Sequence, residues 1–265
     1  MSFQHHHWAL LCRAQQNQSW RAVVDSRCIS SHTPVEMRTL LLFLALSIAS
    51  GASAQTIHDE VLAQQDGPSV HYAISVPRDY HREPVPLILA LHFGGDPRGA
   101  GHAMLQILIQ PALGELGAII VAPDSLDGRW STPANERAVN ALLAAVEKNY
   151  AIDQKKVIVT GFSMGGQGTW YWGDKYPDRF SAAVPLSGTP TASAANWRLP
   201  VFAVHSRDDQ VQPIGPTEQR IAELKKNGVN AQIVVLSGIQ HFETYKFVDG
   251  LRQAVPWIRN VWKTK

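Results

Sequence analysis

Uninterrupted apolar runs constrain this chain more than any other feature. Pro86-Leu87-Ile88-Leu89-Ala90-Leu91-His92 ends at Phe93-Gly94-Gly95, Ala118-Ile119-Ile120-Val121-Ala122 closes at Pro123-Asp124, and Val157-Ile158-Val159 leads into Gly161. A strand with one wet face alternates apolar and polar side chains. Short runs without alternation suit strands covered on both faces, as in a parallel sheet. Val70 to Val76 does alternate and stops at Pro77, and Lys156 to Phe162, Ala182 to Leu186, Val201 to His205 and Ala231 to Leu236 read as further strands. Helical stretches separate them. His102 to Leu116 holds one, interrupted by Pro111, and Asn135 to Tyr150 carries Val139, Leu142, Leu143, Val146 and Tyr150 on one face. Gln167 to Tyr176 ends at Pro177, Thr217 to Lys226 stops at Gly228, and Phe242 to Leu251 and Val255 to Trp262 complete the set. Alternating strands and helices predict right-handed βαβ units in a single three-layer α/β/α sandwich with a mostly parallel sheet.

Not all 265 residues read as part of that sandwich. Met37-Arg38-Thr39 precedes the apolar stretch Leu40 to Ala49, and Ala52-Ser53-Ala54 supplies small residues before Gln55. That order marks residues 37–54 as a secretory signal peptide cut near Ala54-Gln55, so the protein is expected to be exported, periplasmic or secreted. The apolar stretch falls short of the ~20 residues of a membrane span, so no stable membrane insertion of the mature chain is expected. Residues 1–36 show no helix or strand period and are expected to be a disordered upstream extension, non-native rather than a domain. They hold His5-His6-His7, an incidental triplet rather than a metal site, and both cysteines, Cys12 and Cys28. The catalytic domain is therefore expected over residues 55–265, which contain no cysteine and must rely on a core rather than disulfides. Acidic and basic side chains balance there, which leaves no electrostatic footprint for nucleic acid.

Gly161-Phe162-Ser163-Met164-Gly165-Gly166 lies between the strand ending at Phe162 and the helix that follows. A serine between glycines at a strand-to-helix turn matches a nucleophile elbow, where a sharp bend lifts the hydroxyl above the sheet. A serine hydroxyl is a weak nucleophile. It needs an adjacent base, and the base needs a carboxylate to fix its tautomer. On such a fold the chain order is Ser, acid, His. Asp208 and Asp209 follow the strand ending at His205, and His241 follows the strand ending near Leu236. Both places lie beyond strand C-termini, where ligands gather in open α/β sheets. The residue after the nucleophile, Met164, supplies one backbone N–H to a developing oxyanion in this arrangement.

Four patches carry a resemblance: Leu91 to Asp96, Gly161 to Gly166, His205 to Pro213, and Gly238-Ile239-Gln240-His241. Through them the chain resembles the α/β-hydrolase superfamily, in particular its small carboxylesterases, phospholipases and thioesterases, and the related dienelactone-hydrolase-like enzymes. The resemblance spans most of residues 70–262. It implies a serine carboxylesterase that forms an acyl-enzyme, acts on a small-molecule or polymeric ester, and needs neither metal nor organic cofactor. The family pattern His-Gly-x-x-Asp-x-x-Val-Pro, laid on His205 and Pro213, places the acid at Asp209 and leaves Asp208 as the alternative, a turn or cap residue. Ser206 stands where the pattern has glycine, and Gln212 where it has valine. The pattern His-Gly-x-Gly-Asp laid on His92 to Asp96 makes Gly94 the second oxyanion donor, with Phe93, at a glycine position, as the alternative.

Among the tryptophans, Trp130 follows a strand end and is placed as a wall of the substrate pocket, whereas Trp170 and Trp172 read as core. Residues 124–135 are too few for a large lid, so an open site is expected. The rival readings keep the triad and change the bond, to a thioester, a peptide, or a polyester or feruloyl-type polymer. A non-catalytic binding protein would not need serine, acid and histidine in this order.

Overall fold

The alternation of apolar strands and amphipathic helices builds one eight-stranded sheet clothed on both faces. The computed structural model describes residues 55–64, 67–191 and 193–264; the segments read as an upstream extension (1–36) and a signal peptide (37–54) lie outside them. The strands are β1 (Ile57–Leu62), β2 (Val70–Ser75), β3 (Val85–Leu91), β4 (Ile119–Pro123), β5 (Ile152–Phe162), β6 (Ala182–Leu186), β7 (Val201–Ser206) and β8 (Ala231–Leu236). Their spatial order is β1-β2-β4-β3-β5-β6-β7-β8. β1 and β2 run antiparallel to their neighbours, and every pair from β4 to β8 is parallel.

The helices are α1 (Ala100–Met104), α2 (Gln110–Leu113), α3 (Pro133–Asn149), α4 (Met164–Lys175), α5 (Gly215–Lys226), α6 (Val248–Arg252) and α7 (Ala254–Lys263). One face of the sheet packs on α1, α2, α6 and α7 through Met104, Ala112, Leu251, Ile258 and Val261. The other packs on α3, α4 and α5 through Val139, Leu142, Trp170, Trp172 and Leu224. Successive β5 residues feed the two cores in turn, Val157 and Val159 into one and Ile158 and Phe162 into the other. This is the period of two that burial on both faces requires. The three-layer α/β/α sandwich with a mostly parallel sheet is therefore the observed architecture.

Three local differences from the sequence reading have physical causes. β1 was not expected: its middle residues, His58, Asp59, Glu60 and Val61, are exposed. It is an edge strand paired only with β2, so backbone hydrogen bonds, not an apolar face, hold it. The helical run around Pro111 is not broken but passes through a π-helical turn at Leu105–Ile109, with Pro111 in the first turn of α2. The i→i−5 turn just before it, in which Gln110 N–H donates to the Leu105 carbonyl, supplies the local adjustment that a proline needs inside a continuing helical run. Helix α4 begins at Met164, directly after the serine, earlier than the expected Gln167. Among the described residues no helix is long and apolar enough to cross a membrane.

Register positions the site. Leu91 pairs with Gly161 and Phe162 with Leu186, while Ser206 pairs with Leu236. The loops after β3, β5, β7 and β8 therefore leave one edge of the sheet, the C-terminal edge, close together.

Candidate active site

Ser163 sits at the N-cap of α4 with φ 58° and ψ −115°, a left-handed conformation rare for a residue with a side chain. Such strain costs about 1–3 kcal/mol and persists only where the surroundings over-determine it. Here its N–H donates to the Leu186 carbonyl and its carbonyl accepts from Gln167 N–H, both at 2.9 Å. Glycines let the backbones close up around the turn. A Cβ on Gly165 would fall on the Leu91 carbonyl, and one on Gly166 on the Leu186 carbonyl, so α4 rests directly on the ends of β3 and β6.

The loop after β8 brings His241 to this serine. Its Nε2 lies 2.7 Å from Ser163 Oγ and its Nδ1 2.7 Å from Asp209 Oδ2. The buried carboxylate at Nδ1 makes that nitrogen the donor, so Nε2 accepts the serine hydroxyl. Asp209 Oδ1 accepts the N–H of Val211 at 2.9 Å and of Gln212 at 2.7 Å. A second buried histidine flanks it: His205 Nε2 donates to the Gln212 carbonyl at 2.7 Å and lies 3.6 Å from Asp209 Oδ2. Its Nδ1 accepts from the Thr217 hydroxyl at 3.0 Å. Burial opposes ionisation of Asp209, but contacts with His205 and His241 and the Gln212 N–H outweigh it and hold the carboxyl well below the usual carboxylate range. Asp208 is exposed and does not reach the imidazole; its Oδ2 accepts the Gly238 N–H at 2.6 Å.

The loop after β3 is braced by His92, the first residue of its motif, together with Ser125 and Asp124, which no motif marked. The buried His92 accepts the Ser125 N–H at Nε2, 3.0 Å, and therefore carries its proton on Nδ1, which donates to the Phe93 carbonyl at 2.6 Å. Burial pushes the His92 pKa down, opposed in part by that carbonyl and the Asp124 charge. Because the peptide is trans, engaging the Phe93 carbonyl turns the Gly94 N–H to the opposite side. A Cβ on Gly94 would sit 3.9 Å from Met164 Cβ, so the two backbones adjoin above the serine turn. Asp124 accepts Gly99 N–H at 2.7 Å and Gly101 N–H at 2.9 Å, which anchors the far end of the same loop.

Trp130 is buried, donates its indole N–H to the His92 carbonyl at 3.0 Å, and packs edge-on to the imidazole. It also lines a cavity of 610 Å³ beside Met164, with Arg129, Gln167, Tyr171 and Thr189. Gln212 ties two of these lining residues together: its Oε1 accepts from the Thr189 hydroxyl at 2.5 Å and from Gln167 Nε2 at 3.3 Å. Trp170 and Trp172 are core residues whose indoles donate to Gly188 and Trp130 carbonyls. Between β4 and α3 only residues 124–132 intervene, held by Asn135, which accepts from Leu126 N–H and donates to Asp127 and the Arg129 carbonyl. No group of three or more His, Cys, Asp or Glu among the described residues is placed to hold a metal ion.

Residues 121–246 match the Dienelactone hydrolase family. Protein usf of Aquifex pyrophilus is 34% identical over 90 residues, 33% of this chain and 39% of that protein. The chain thus spans about two fifths of the length of the first curated relatives it matches. Feruloyl esterase C of Emericella nidulans is 26% identical over 193 residues, 68% of this chain and 71% of that protein. Among solved structures, a thermostable esterase superposes with a TM-score of 0.63 at 20% identity, covering 77% of this chain and 62% of that one. At that identity the likeness is one of fold.

Proposed function

We propose that this chain, which matches the Dienelactone hydrolase family over residues 121–246 and has the fold of a solved esterase, is a serine esterase of the α/β-hydrolase superfamily and hydrolyses carboxylic esters through an acyl-enzyme on Ser163. The observation that carries this reading is the unbroken hydrogen-bond chain from Ser163 Oγ through both nitrogens of His241 to Asp209, two links of 2.7 Å each. In the proposed reaction Ser163 Oγ attacks the ester carbonyl carbon as His241 Nε2 takes its proton. Asp209 holds the ring and stabilises the imidazolium. The N–H groups of Met164 and Gly94 receive the oxyanion; Phe93 N–H is the alternative to Gly94. Collapse expels the alcohol, which takes the proton from His241. Water, deprotonated by His241, then attacks the acyl-enzyme and releases the acid, and Ser163 recovers its proton.

Small-molecule and polymeric esters both fit an open site. A specific observation favours esters of aromatic acids: Phe242, whose ring meets the His241 imidazole edge-on at 5.4 Å, is 64% exposed, and Tyr245, four residues after His241, is 59% exposed. Exposed aromatics beside a reacting centre offer a stacking surface for an aryl group. The likeness to feruloyl esterase C supports the same choice. Export rests on the Met37 to Ala54 segment.

Ser163→Ala tests the reading. The variant is expected to lose about 10⁴–10⁶ in turnover of p-nitrophenyl acetate and to resist labelling by a fluorophosphonate. Labelling of the alanine variant at wild-type rate refutes Ser163 as the nucleophile. A panel of thioester, peptide, acetyl and feruloyl substrates separates the rival bonds.

A further inference from the structure

His241 must be delivered from a short loop that begins at Ser237, just past β8, and its Nε2 must meet a hydroxyl carried by a different strand. Backbone hydrogen bonds hold the two ends of that loop. Arg207 N–H donates to the Leu236 carbonyl at 2.8 Å, and Glu243 N–H to the Gln240 carbonyl at 3.1 Å. Gly238, in a left-handed conformation at φ 72°, and Ile239 lie between these ties. Both are held by side chains from the acid loop. The fully buried Ser206 donates its hydroxyl to the Ile239 carbonyl at 2.5 Å, and the same Oγ accepts the Asp208 N–H at 3.2 Å. Asp208 Oδ2 accepts the Gly238 N–H at 2.6 Å.

We propose that Ser206, assisted by Asp208, is a positioning residue that clamps the histidine loop to the acid loop and sets His241 at hydrogen-bond distance from Ser163. The proposal rests on the ester-hydrolase reading and assigns to Ser206 what glycine, the residue of the family pattern at this position, cannot do. The clamp closes a ring. Asp209, next in the chain after Asp208, holds His241 Nδ1, and Ser206 and Asp208 hold the backbone two and three residues before His241. A histidine fixed at both its ring and its loop has little freedom to swing from the serine. The two clamp residues differ in weight. Ser206 is buried, so its loss leaves the half-buried Ile239 carbonyl without that donor; Asp208 is exposed, and water can replace much of what it does.

The test compares the wild-type full chain with Ser206→Ala, Asp208→Ala and Asp208→Asn. Steady-state hydrolysis of p-nitrophenyl acetate, the rate of fluorophosphonate labelling and thermal unfolding are measured for each. The far-downfield proton resonance of His241 Nδ1–H, identified by its loss in His241→Ala, reports the clamp without reference to activity. Ser206→Ala is expected to lower kcat about 10- to 100-fold, the scale of an ångström of misplacement, with KM nearly unchanged, slower labelling and a broadened resonance. Asp208→Asn keeps an oxygen for Gly238 N–H and is expected to stay near wild type, while Asp208→Ala falls between. The Asp208 pair decides the matter if Ser206→Ala does not fold. Wild-type kcat and a sharp resonance in Ser206→Ala, or equal behaviour of Asp208→Ala and Asp208→Asn where Ser206→Ala is unfolded, overturn the clamp. A wild-type protein inert to both esters and the label overturns the hydrolase reading instead, and the resonance then still decides whether Ser206 holds the loop.

Discussion

Asp209→Asn is nearly isosteric, so its main effect is on where a proton sits. Asp209 Oδ1 accepts two backbone N–H groups, from Val211 and Gln212, at 2.9 and 2.7 Å. An asparagine must offer its carbonyl oxygen to those donors. Its NH2 group then faces His241 Nδ1 across the 2.7 Å gap that the carboxylate now spans. The reversed amide would set NH2 against two N–H groups and leave them unpaired, at about 1–3 kcal/mol each. With NH2 opposite Nδ1, that nitrogen must accept, and the ring proton moves to Nε2. Nε2 is the atom that accepts the Ser163 hydroxyl at 2.7 Å, so nucleophile and base become two donors facing each other. A wrong tautomer of this kind costs about 10⁴ in kcat, or about 5.4 kcal/mol of barrier. Asp209 is buried behind the histidine, so KM is expected to change little. The assay is p-nitrophenyl acetate hydrolysis at saturating substrate, with fluorophosphonate labelling to count competent serines. A kcat loss under about tenfold, or a loss matched by Asp208→Asn, refutes the reasoning.

The same carboxylate makes an acid-stability prediction. Its folded pKa lies below the unfolded value of about 3.9, so its stabilising contribution is present above that pH and disappears as pH falls below it. In Asp209→Asn the thermal midpoint should therefore fall less steeply than in wild type below about pH 4. Gly165→Ala puts a methyl onto the Leu91 carbonyl, with the Leu91 carbon at 2.5 Å and the His92 carbonyl oxygen at 2.9 Å, all backbone atoms that cannot step aside. It should cost at least about 1–3 kcal/mol in denaturant unfolding and impair labelling of Ser163; a wild-type midpoint with full labelling would show that α4 does not rest on β3 as described. His92→Leu leaves the Ser125 N–H and Phe93 carbonyl without their ring partner. It should cost about 1–3 kcal/mol in stability and lower kcat by up to about 10²–10³ if the Gly94 donor turns away, both read by unfolding and steady-state kinetics.

Much of the architecture was legible because burial on both faces writes itself as unbroken apolar runs. β3, β4 and β5 were readable for that reason, and β1 was not, since an edge strand held by backbone pairing needs no apolar pattern. The serine turn was legible because close backbone contact demands glycine at positions 161, 165 and 166, whatever the rest of the protein does. The acid was legible only as a choice between neighbours, Asp208 and Asp209. The spacing from His205 to Pro213 favoured Asp209 through the family pattern, while the contact that separates the two carboxylates is with a histidine 32 residues away. Ser125, Asn135 and the roles of His205 and Gln212 left no local signal, because their partners lie on other loops.

The sequence alone thus determined the strands from β2 to β8, where the chain bends most sharply, and which hydroxyl that bend lifts. Those properties depend on side-chain volume, apolarity and backbone freedom, all carried by residues near one another in the chain. Tertiary structure decided which carboxylate meets His241 and that a serine at position 206 ties two loops together. Each of these is a hydrogen bond between segments far apart in sequence, and its existence depends on distances that only the folded sheet sets.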